Sequence, residues 1–183
     1  MTTPNYLFRS ARLGFRNWLD TDLEIMDAIN TDPLVMEFFP GIKTREETSN
    51  FIVRMQQELA AKGFCYFAVD KLDDGKFIGF IGLSEQTFMS DFTPCIDIGW
   101  RLHSLEWGQG FATEGAKACL AYGFETLQLP SICSIAPAIN TKSENVMKKI
   151  GMEKVKNFKH PLLKGNERLE ECVLYKIIPL SEP

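Results

Sequence analysis

A strand pattern runs directly into a glycine-rich loop and then into an amphipathic helix pattern in the second half of this chain. Residues 95–102, CIDIGWRL, read as a strand. Residues 104–124, SLEWGQGFATEGAKACLAYGF, place Gly108 and Gly110 ahead of a helix predicted to reach about Thr126. A helix N-terminus carries unpaired N–H groups and the positive end of the helix dipole, and glycines let an anion approach them closely. This order predicts an anion-binding loop.

Three phosphate-binding patterns compete for this loop. The nucleoside-triphosphate pattern GxxxxGK[ST] is excluded, because no Lys-Ser or Lys-Thr follows the glycines. The dinucleotide pattern GxGxxG is disfavoured, because residues 108–115 lack its third glycine and residues 131–138, SICSIAPA, offer no acidic residue. A third pattern, [Q/R]-x-x-G-x-[G/A], fits at Gly110 and Ala112, with Trp107 at its first position. A glycine-rich turn without a ligand stays open as the alternative.

The remaining chain alternates between strand and helix signals, and it contains no linker, repeat or low-complexity stretch. Strands are predicted over residues 12–18, 64–70, 77–84, 95–102, 132–136, 153–158 and 170–178, and helices over 21–30, 44–62 and 141–150 as well as after the loop. The strands before the loop are typical of an antiparallel meander. We therefore expect a single domain over residues 1–183, core about 12–178, of mixed α/β (α+β) class with helices on both faces of a mixed sheet.

Charge and hydropathy argue against two classes of partner. The formal net charge is −4, whereas binding to nucleic acid phosphates needs a basic surface. No apolar run approaches the length of a membrane span, and the first fifteen residues lack the apolar core of a signal peptide. We therefore expect a cytoplasmic protein that binds neither nucleic acid nor a membrane.

The cysteines and histidines do not form a recognisable metal or disulfide pattern. The five cysteines include no CxxC pair, and the two histidines have no familiar ligand spacing. We expect no bound metal and predict that most of the cysteines are small buried apolar residues. They are Cys65, Cys95, Cys119, Cys133 and Cys172.

Three stretches together resemble the GNAT acetyltransferases. Residues 97–129 resemble that family's central strand, loop and helix, and residues 140–152, NTKSENVMKKIGM, resemble its next helix. Residues 12–18 and 31–39 resemble the branch that includes the ribosomal-protein alanine and serine N-acetyltransferases, in which Trp at the first loop position is usual. The resemblance implies a GNAT fold whose central, largely antiparallel sheet is splayed at its middle strands.

The resemblance also implies the chemistry. The donor would be acetyl-CoA or another acyl-CoA, and an amine would attack directly in a ternary complex, without a covalent enzyme intermediate.

In the strand predicted over residues 95–102, the side chains of Asp97, Gly99 and Arg101 are expected to share one face. The interior Gly99 marks a bulge or a close backbone approach, or else only relieves packing. The residues expected to bind the CoA are Gly99, Trp100, Arg101, Leu102, Trp107, Gly108, Gln109, Gly110, Phe111, Ala112, Thr113, Asn140 and Ser143.

Candidates for the proton transfers are carboxylates and one hydroxyl. Asp97 matches a Glu that is common on this strand in the family, and its shorter side chain favours relay through water. Glu85 is the second candidate base. Ser143 matches the family serine that contacts the CoA sulfur, and Met147 stands where many members carry a tyrosine acid. Each candidate also has a structural alternative. Asp97 would then be a structural carboxylate at a strand start, and Glu85 a solvated residue at a strand end. Ser143, like Asn140, would be a helix-capping residue.

The acceptor side is the least defined. Phe38 and Phe39 lie where the family builds its acceptor wall, although adjacent aromatics are also typical of a core. His160 is placed in a hairpin between the last two strands and is given no catalytic role. The expected function is N-acetylation of a primary amine, either a protein N-terminus or a small molecule, by a possible homodimer. The alternative is a non-catalytic acyl-CoA-binding sensor or regulatory module.

Overall fold

The computed structural model describes residues 5–179, which form one eight-stranded sheet with four α-helices. The strands are β1 (Phe8–Arg9), β2 (Leu13–Arg16), β3 (Tyr66–Lys71), β4 (Phe77–Gln86), β5 (Cys95–Leu102), β6 (Ile132–Pro137), β7 (Glu153–Lys159) and β8 (Glu171–Ile177). The helices are α1 (Leu23–Thr31), α2 (Arg45–Lys62), α3 (Phe111–Ala121) and α4 (Thr141–Lys149). This arrangement confirms the predicted fold class.

The strands lie in the order β1-β2-β3-β4-β5-β6-β8-β7. All neighbours are antiparallel except β5 and β6, which are parallel. The predicted meander of β3, β4 and β5 is therefore confirmed. Only the two-residue strand β1 had no sequence signal, since so short a pairing leaves no alternation to detect.

The parallel pair opens almost as soon as it forms. One register pair, Asp97 with Cys133, joins β5 to β6. The Ser134 hydroxyl then donates to the Ile98 carbonyl at 3.0 Å, and past that point the described strands share no further register. The sheet is thus splayed at its middle, as the resemblance implied.

The helices cover opposite faces of this sheet, and β4 separates them. Phe80 faces α2, where its ring lies 5.3 Å from that of Phe51. The next residue, Ile81, faces α3: a Cβ added at Gly115 would lie 2.3 Å from the Ile81 Cδ1 atom, so α3 approaches the sheet closely only because that position is glycine. On β5, the Arg101 guanidinium lies 5.4 Å from the centre of the Phe80 ring and so shares the α2 face.

Local signals also set the helix ends. The Thr44 hydroxyl accepts from the Glu47 N–H at 3.1 Å while the Glu47 carboxylate accepts from the Thr44 N–H at 2.8 Å, which forms the predicted capping box of α2. Gly63, with φ of 78°, ends that helix. The helix after the glycine loop is α-helical only to Ala121 and continues as a π-helix over Tyr122–Thr126.

Candidate active site

A pocket of about 510 Å³ opens where the splayed strand β5 meets the glycine loop. The first turns of α3 and α4 form two of its sides, and the segment between α1 and α2 forms another. The predicted residues that line it are Phe38, Phe39, Trp100, Arg101, Leu102, Trp107, Gly108, Gly110, Phe111, Ala112, Thr113, Asn140 and Ser143. Asp97, Gly99, Gln109 and Glu85 are not part of this lining.

The glycine loop has a backbone that only glycine adopts readily. Gly108 and Gly110 have φ values of 77° and 82°, in the left-handed region that residues with a Cβ rarely adopt. Gly110 is the N-cap of α3, and no side chain caps this helix. The first-turn N–H groups of α3 therefore meet the pocket at the positive end of the helix dipole, the arrangement that binds phosphate.

Contacts outside the motif hold this loop. The Trp107 indole N–H donates to the Leu102 carbonyl at 3.0 Å, which ties the loop to the end of β5. The Arg12 guanidinium donates to the Gln109 carbonyl at 3.1 Å and pairs with Glu114 of α3 at 2.6 Å. Gln109 thus supports the loop through its backbone, and Arg12 and Glu114 are supporting residues that the sequence reasoning missed.

The first turn of α4 forms the opposite side of the pocket. The Asn140 side chain accepts from the Ser143 N–H at 3.1 Å, so Asn140 is the N-cap and Ser143 keeps its hydroxyl for the pocket. Lys142, Val146 and Lys149 also line it and were not predicted. Their spacing along a capped helix places them on one face, which is the signal that could have identified them.

Asp97 lies behind the pocket in a buried polar cluster. The Tyr66 hydroxyl donates to its Oδ1 atom at 2.6 Å and the Gln86 side-chain amide donates to the same atom at 3.0 Å. Among residues 5–179, Oδ2 has no hydrogen-bond donor. Burial raises the pKa of Asp97 to about 6, and the two donated hydrogen bonds oppose that rise. Such a carboxyl changes charge close to neutral pH.

Gly99 makes room for the same tyrosine. A Cβ at this position would lie 3.0 Å from the Tyr66 ring. The register of β4 and β5 runs without interruption through Gly99, so a close approach, and not a bulge, accounts for the glycine. Tyr66 is 31 residues from Asp97 in the chain, and no local pattern indicated it.

The second candidate base is placed differently. The Glu85 carboxylate accepts from Lys62 at 2.7 Å at the surface end of β4. It lines a separate cavity of about 520 Å³, together with Cys95, Cys133 and Lys176. Four of the five cysteines are buried, as predicted, and Cys95 is half-buried.

Phe38 and Phe39 are half-buried and line the pocket. Their burial agrees with a packing role, and their place in the lining agrees with an acceptor wall. The Arg101 guanidinium lies 4.1 Å from the centre of the Phe39 ring. His160 lies between β7 and β8, as predicted, where it accepts from the Leu162 N–H at 3.2 Å and contacts the Phe88 ring. Burial lowers the pKa of His160, and it does not line the pocket.

The comparisons with known proteins agree with this geometry. Residues 12–153 match the family described as Acetyltransferase (GNAT) domain. An uncharacterized N-acetyltransferase of Bacillus subtilis, YnaD, is 32% identical over 172 residues, which cover 93% of this chain and 92% of that protein. This chain belongs to the GNAT acetyltransferase family and is an acyl-CoA-dependent N-acyltransferase.

Solved structures share the fold over nearly their whole length. A GNAT-family acetyltransferase from Bacillus anthracis superposes with a TM-score of 0.77 at 28% identity, covering 93% of this chain and 96% of that one. The spermidine N-acetyltransferase of Vibrio cholerae, solved with CoA and spermine, has a TM-score of 0.71 at 18% identity, with 91% and 95% covered. The second likeness is one of fold.

Two further observations bear on cofactors and location. Within residues 5–179, no group of three or more His, Cys, Asp or Glu side chains is placed to hold a metal ion. The same part of the chain contains no helix that combines the length and the apolar character needed to cross a membrane.

Proposed function

We propose that this protein transfers the acetyl group of acetyl-CoA to a primary amine by direct attack within a ternary complex. The observation that carries the proposal is one pocket in which the uncapped N-terminus of α3 meets the open edge of β5. Acetyl-CoA supplies an activated acyl thioester. The chain's own residues bind acetyl-CoA, orient the amine, accept the amine proton and stabilise the departing sulfur.

The pyrophosphate would sit at the first turn of α3, beside the left-handed Gly108 and Gly110. Lys142 and Lys149 add positive charge on the α4 side of the pocket. Lys142 itself lies 4.7 Å from the centre of the Trp107 ring, so the loop and α4 are already in contact across the entrance. These residues fit a ligand with an anionic end and a narrow apolar arm.

The edge of β5 offers a donor for the acyl oxygen. The Ile98 carbonyl faces β6, because it accepts from Ser134. Successive residues of a strand direct their backbone groups to opposite edges, so Trp100 directs its N–H to the same side, where the sheet has opened. We assign to the Trp100 N–H the role of stabilising negative charge on the acyl oxygen.

The amine must lose a proton before it attacks. Asp97 is the proposed base, acting through water with its free Oδ2 atom, and a pKa of about 6 suits that role near neutral pH. The Ser143 hydroxyl would donate a hydrogen bond to the departing sulfur. Glu85 is the weaker candidate for the base, because Lys62 already holds its carboxylate outside the pocket.

Two measurements test the proposal. Isothermal titration with acetyl-CoA should give a dissociation constant on the order of tens of micromolar or tighter. Thiol release from acetyl-CoA is then followed with a panel of small amines and short peptides with free N-termini. Failure to bind acetyl-CoA would refute the proposal, and binding without thiol release across the whole panel would remove the catalytic part of it.

A further inference from the structure

Arg101 is a half-buried cation that has no anionic partner among residues 5–179. Its Nη1 atom donates to the Asn30 side-chain oxygen at 2.6 Å, and its Nε atom is fully buried without a hydrogen-bond acceptor. Within the described residues, no carboxylate forms an ion pair with it. Burial lowers the pKa of Arg101 to about 10, which still leaves the guanidinium charged at neutral pH.

Arg16, a buried arginine, shows how the charge of a guanidinium inside the fold is normally balanced. Arg16 donates to Asp22 at 2.7 Å and to Asp70 at 2.7 Å, so its charge is balanced twice. A buried charge without a counter-ion is costly, and proteins retain such a group where it serves a ligand. The fork of an arginine matches the two oxygens of a carboxylate in particular.

The side chains around Arg101 fix the position of its guanidinium but do not neutralise its charge. Asn30 is buried and is itself held by a hydrogen bond from its amide to Thr48 at 3.0 Å. The guanidinium lies between the rings of Phe39 and Phe80, at 4.1 and 5.4 Å from their centres. Aromatic faces attract a cation without accepting its N–H groups, and the Nη2 atom of Arg101 has no hydrogen-bond partner among residues 5–179, so this atom is left for a ligand.

Arg101 also lies against Phe39, one of the two residues expected to form the acceptor wall. It lines the pocket beside Phe39, on the α2 face of β5, and shares that face with Asp97. Strand residues rise about 3.3 Å each, so the Cα atoms of Asp97 and Arg101 are about 13 Å apart. The Tyr66 ring lies against Gly99 between them, so an acceptor whose carboxylate binds Arg101 would keep its amine on the pocket side of Tyr66, and the amine proton would reach Asp97 through water.

The charge of the pocket lining also favours an anionic group on the acceptor. Among residues 5–179, Glu106 is the one carboxylate that lines the pocket, and it already pairs with Lys76 at 3.2 Å. Lys142 and Lys149 are placed to neutralise the CoA pyrophosphate in the proposed function, which leaves Arg101 as the cation beside Phe39. The described part of the lining therefore offers a polyamine no unpaired carboxylate, whereas it offers an anionic group the guanidinium of Arg101.

We propose that the acceptor amine carries a carboxylate close to the amino group, as a free α-amino acid does, and that Arg101 binds this carboxylate. The inference rests on the proposed function, since it names the substrate class of that same site. It makes Arg101 a specificity-determining residue, while the transfer of the acetyl group proceeds through the groups already described.

The test compares matched acceptors with wild-type protein and with Arg101→Gln. Free amino acids and their carboxamides are assayed by thiol release from acetyl-CoA, with spermidine as a third arm. For wild type we expect kcat/KM for the free acids to exceed that for the amides on the order of 10- to 100-fold, the contribution of a charged hydrogen-bonded pair. In Arg101→Gln this ratio should fall to about 1, chiefly through a higher KM for the acids.

Arg168→Gln is the control variant. Arg168 lies 5.7 Å from the centre of the Phe38 ring at the rim, but it already contacts the Glu37 side chain at 3.4 Å. This variant should retain the acid-to-amide ratio, and Arg101→Lys should retain part of it. A wild-type ratio near 1, a preference for spermidine, or a ratio that survives in Arg101→Gln would overturn the inference. Absence of thiol release with every acceptor of this set would also overturn the inference, and only its absence with the short peptides and small amines as well would refute the catalytic part of the proposed function.

Discussion

Replacing Asp97 by Asn separates the base role from the stability cost of the same carboxyl. The change keeps the shape of the side chain and keeps an oxygen for the Tyr66 hydroxyl, which donates at 2.6 Å. It removes the negative charge that burial disfavours. If Asp97 is the base, turnover at saturating substrate should fall about 10²- to 10⁴-fold in Asp97→Asn.

The stability effect has the opposite sign. The pKa of Asp97 is raised from 3.8 to about 6 in the folded protein. At 1.36 kcal/mol per pKa unit, ionising this buried group reduces the free energy of unfolding by about 3 kcal/mol. Because the folded pKa is the higher one, that loss is absent below pH 3.8, grows between pH 3.8 and about 6, and is complete above it.

The assay is urea unfolding at pH 4.5 and pH 7.5, beside steady-state kinetics at pH 7.5. Asp97→Asn should exceed wild type in stability at pH 7.5 by up to about 3 kcal/mol, with much less difference at pH 4.5. Asp70→Asn is the matched control: Asp70 is buried but paired with Arg16, so its loss should destabilise by about 3–5 kcal/mol. A less stable Asp97→Asn protein at pH 7.5 would refute the burial argument, and wild-type turnover would remove the base role.

Three further variants test the pocket. Gly110→Ala should weaken acetyl-CoA binding about tenfold or more in calorimetry, because φ at this position is 82°; Gly165→Ala has the same strain at φ of 87° outside the pocket lining and should bind normally. Trp107→Phe removes one hydrogen bond to Leu102, worth about 1 kcal/mol, and should weaken acetyl-CoA binding about fivefold. Ser143→Ala should lower kcat about tenfold while acetyl-CoA affinity stays within about twofold, and an equal loss of both would assign the hydroxyl to binding alone.

Much of the fold was predictable because its signals are local. The capping box at Thr44 and Glu47, the helix end at Gly63 and the N-cap at Asn140 each join residues within a few positions of one another. Strand alternation likewise predicted that Asp97 and Arg101 share a face. These features depend on neighbouring residues, so the residue order specifies them directly.

The site was predictable in part. The glycine loop and the first turn of α4 carry family-specific patterns, and the structure places both around one pocket. Lys142 and Lys149 were missed, although their helical spacing beside Asn140 was available in the sequence. Glu85 was a reasonable second base by position, and only its contact with Lys62 shows that its carboxylate is already occupied.

The sequence by itself determined most of the strands and helices, the position of the glycine loop and the family to which the chain belongs. The tertiary structure decided which side chains contact Asp97 and Arg101 on β5. Asp97 accepts a hydrogen bond from Tyr66, 31 residues away in the chain, and Arg101 donates one to Asn30, 71 residues away. No local pattern encodes the order of the strands and helices that brings these pairs together. The raised pKa of Asp97 and the lowered pKa of Arg101 both come from loss of solvent around them, which exists only once the rest of the fold covers β5.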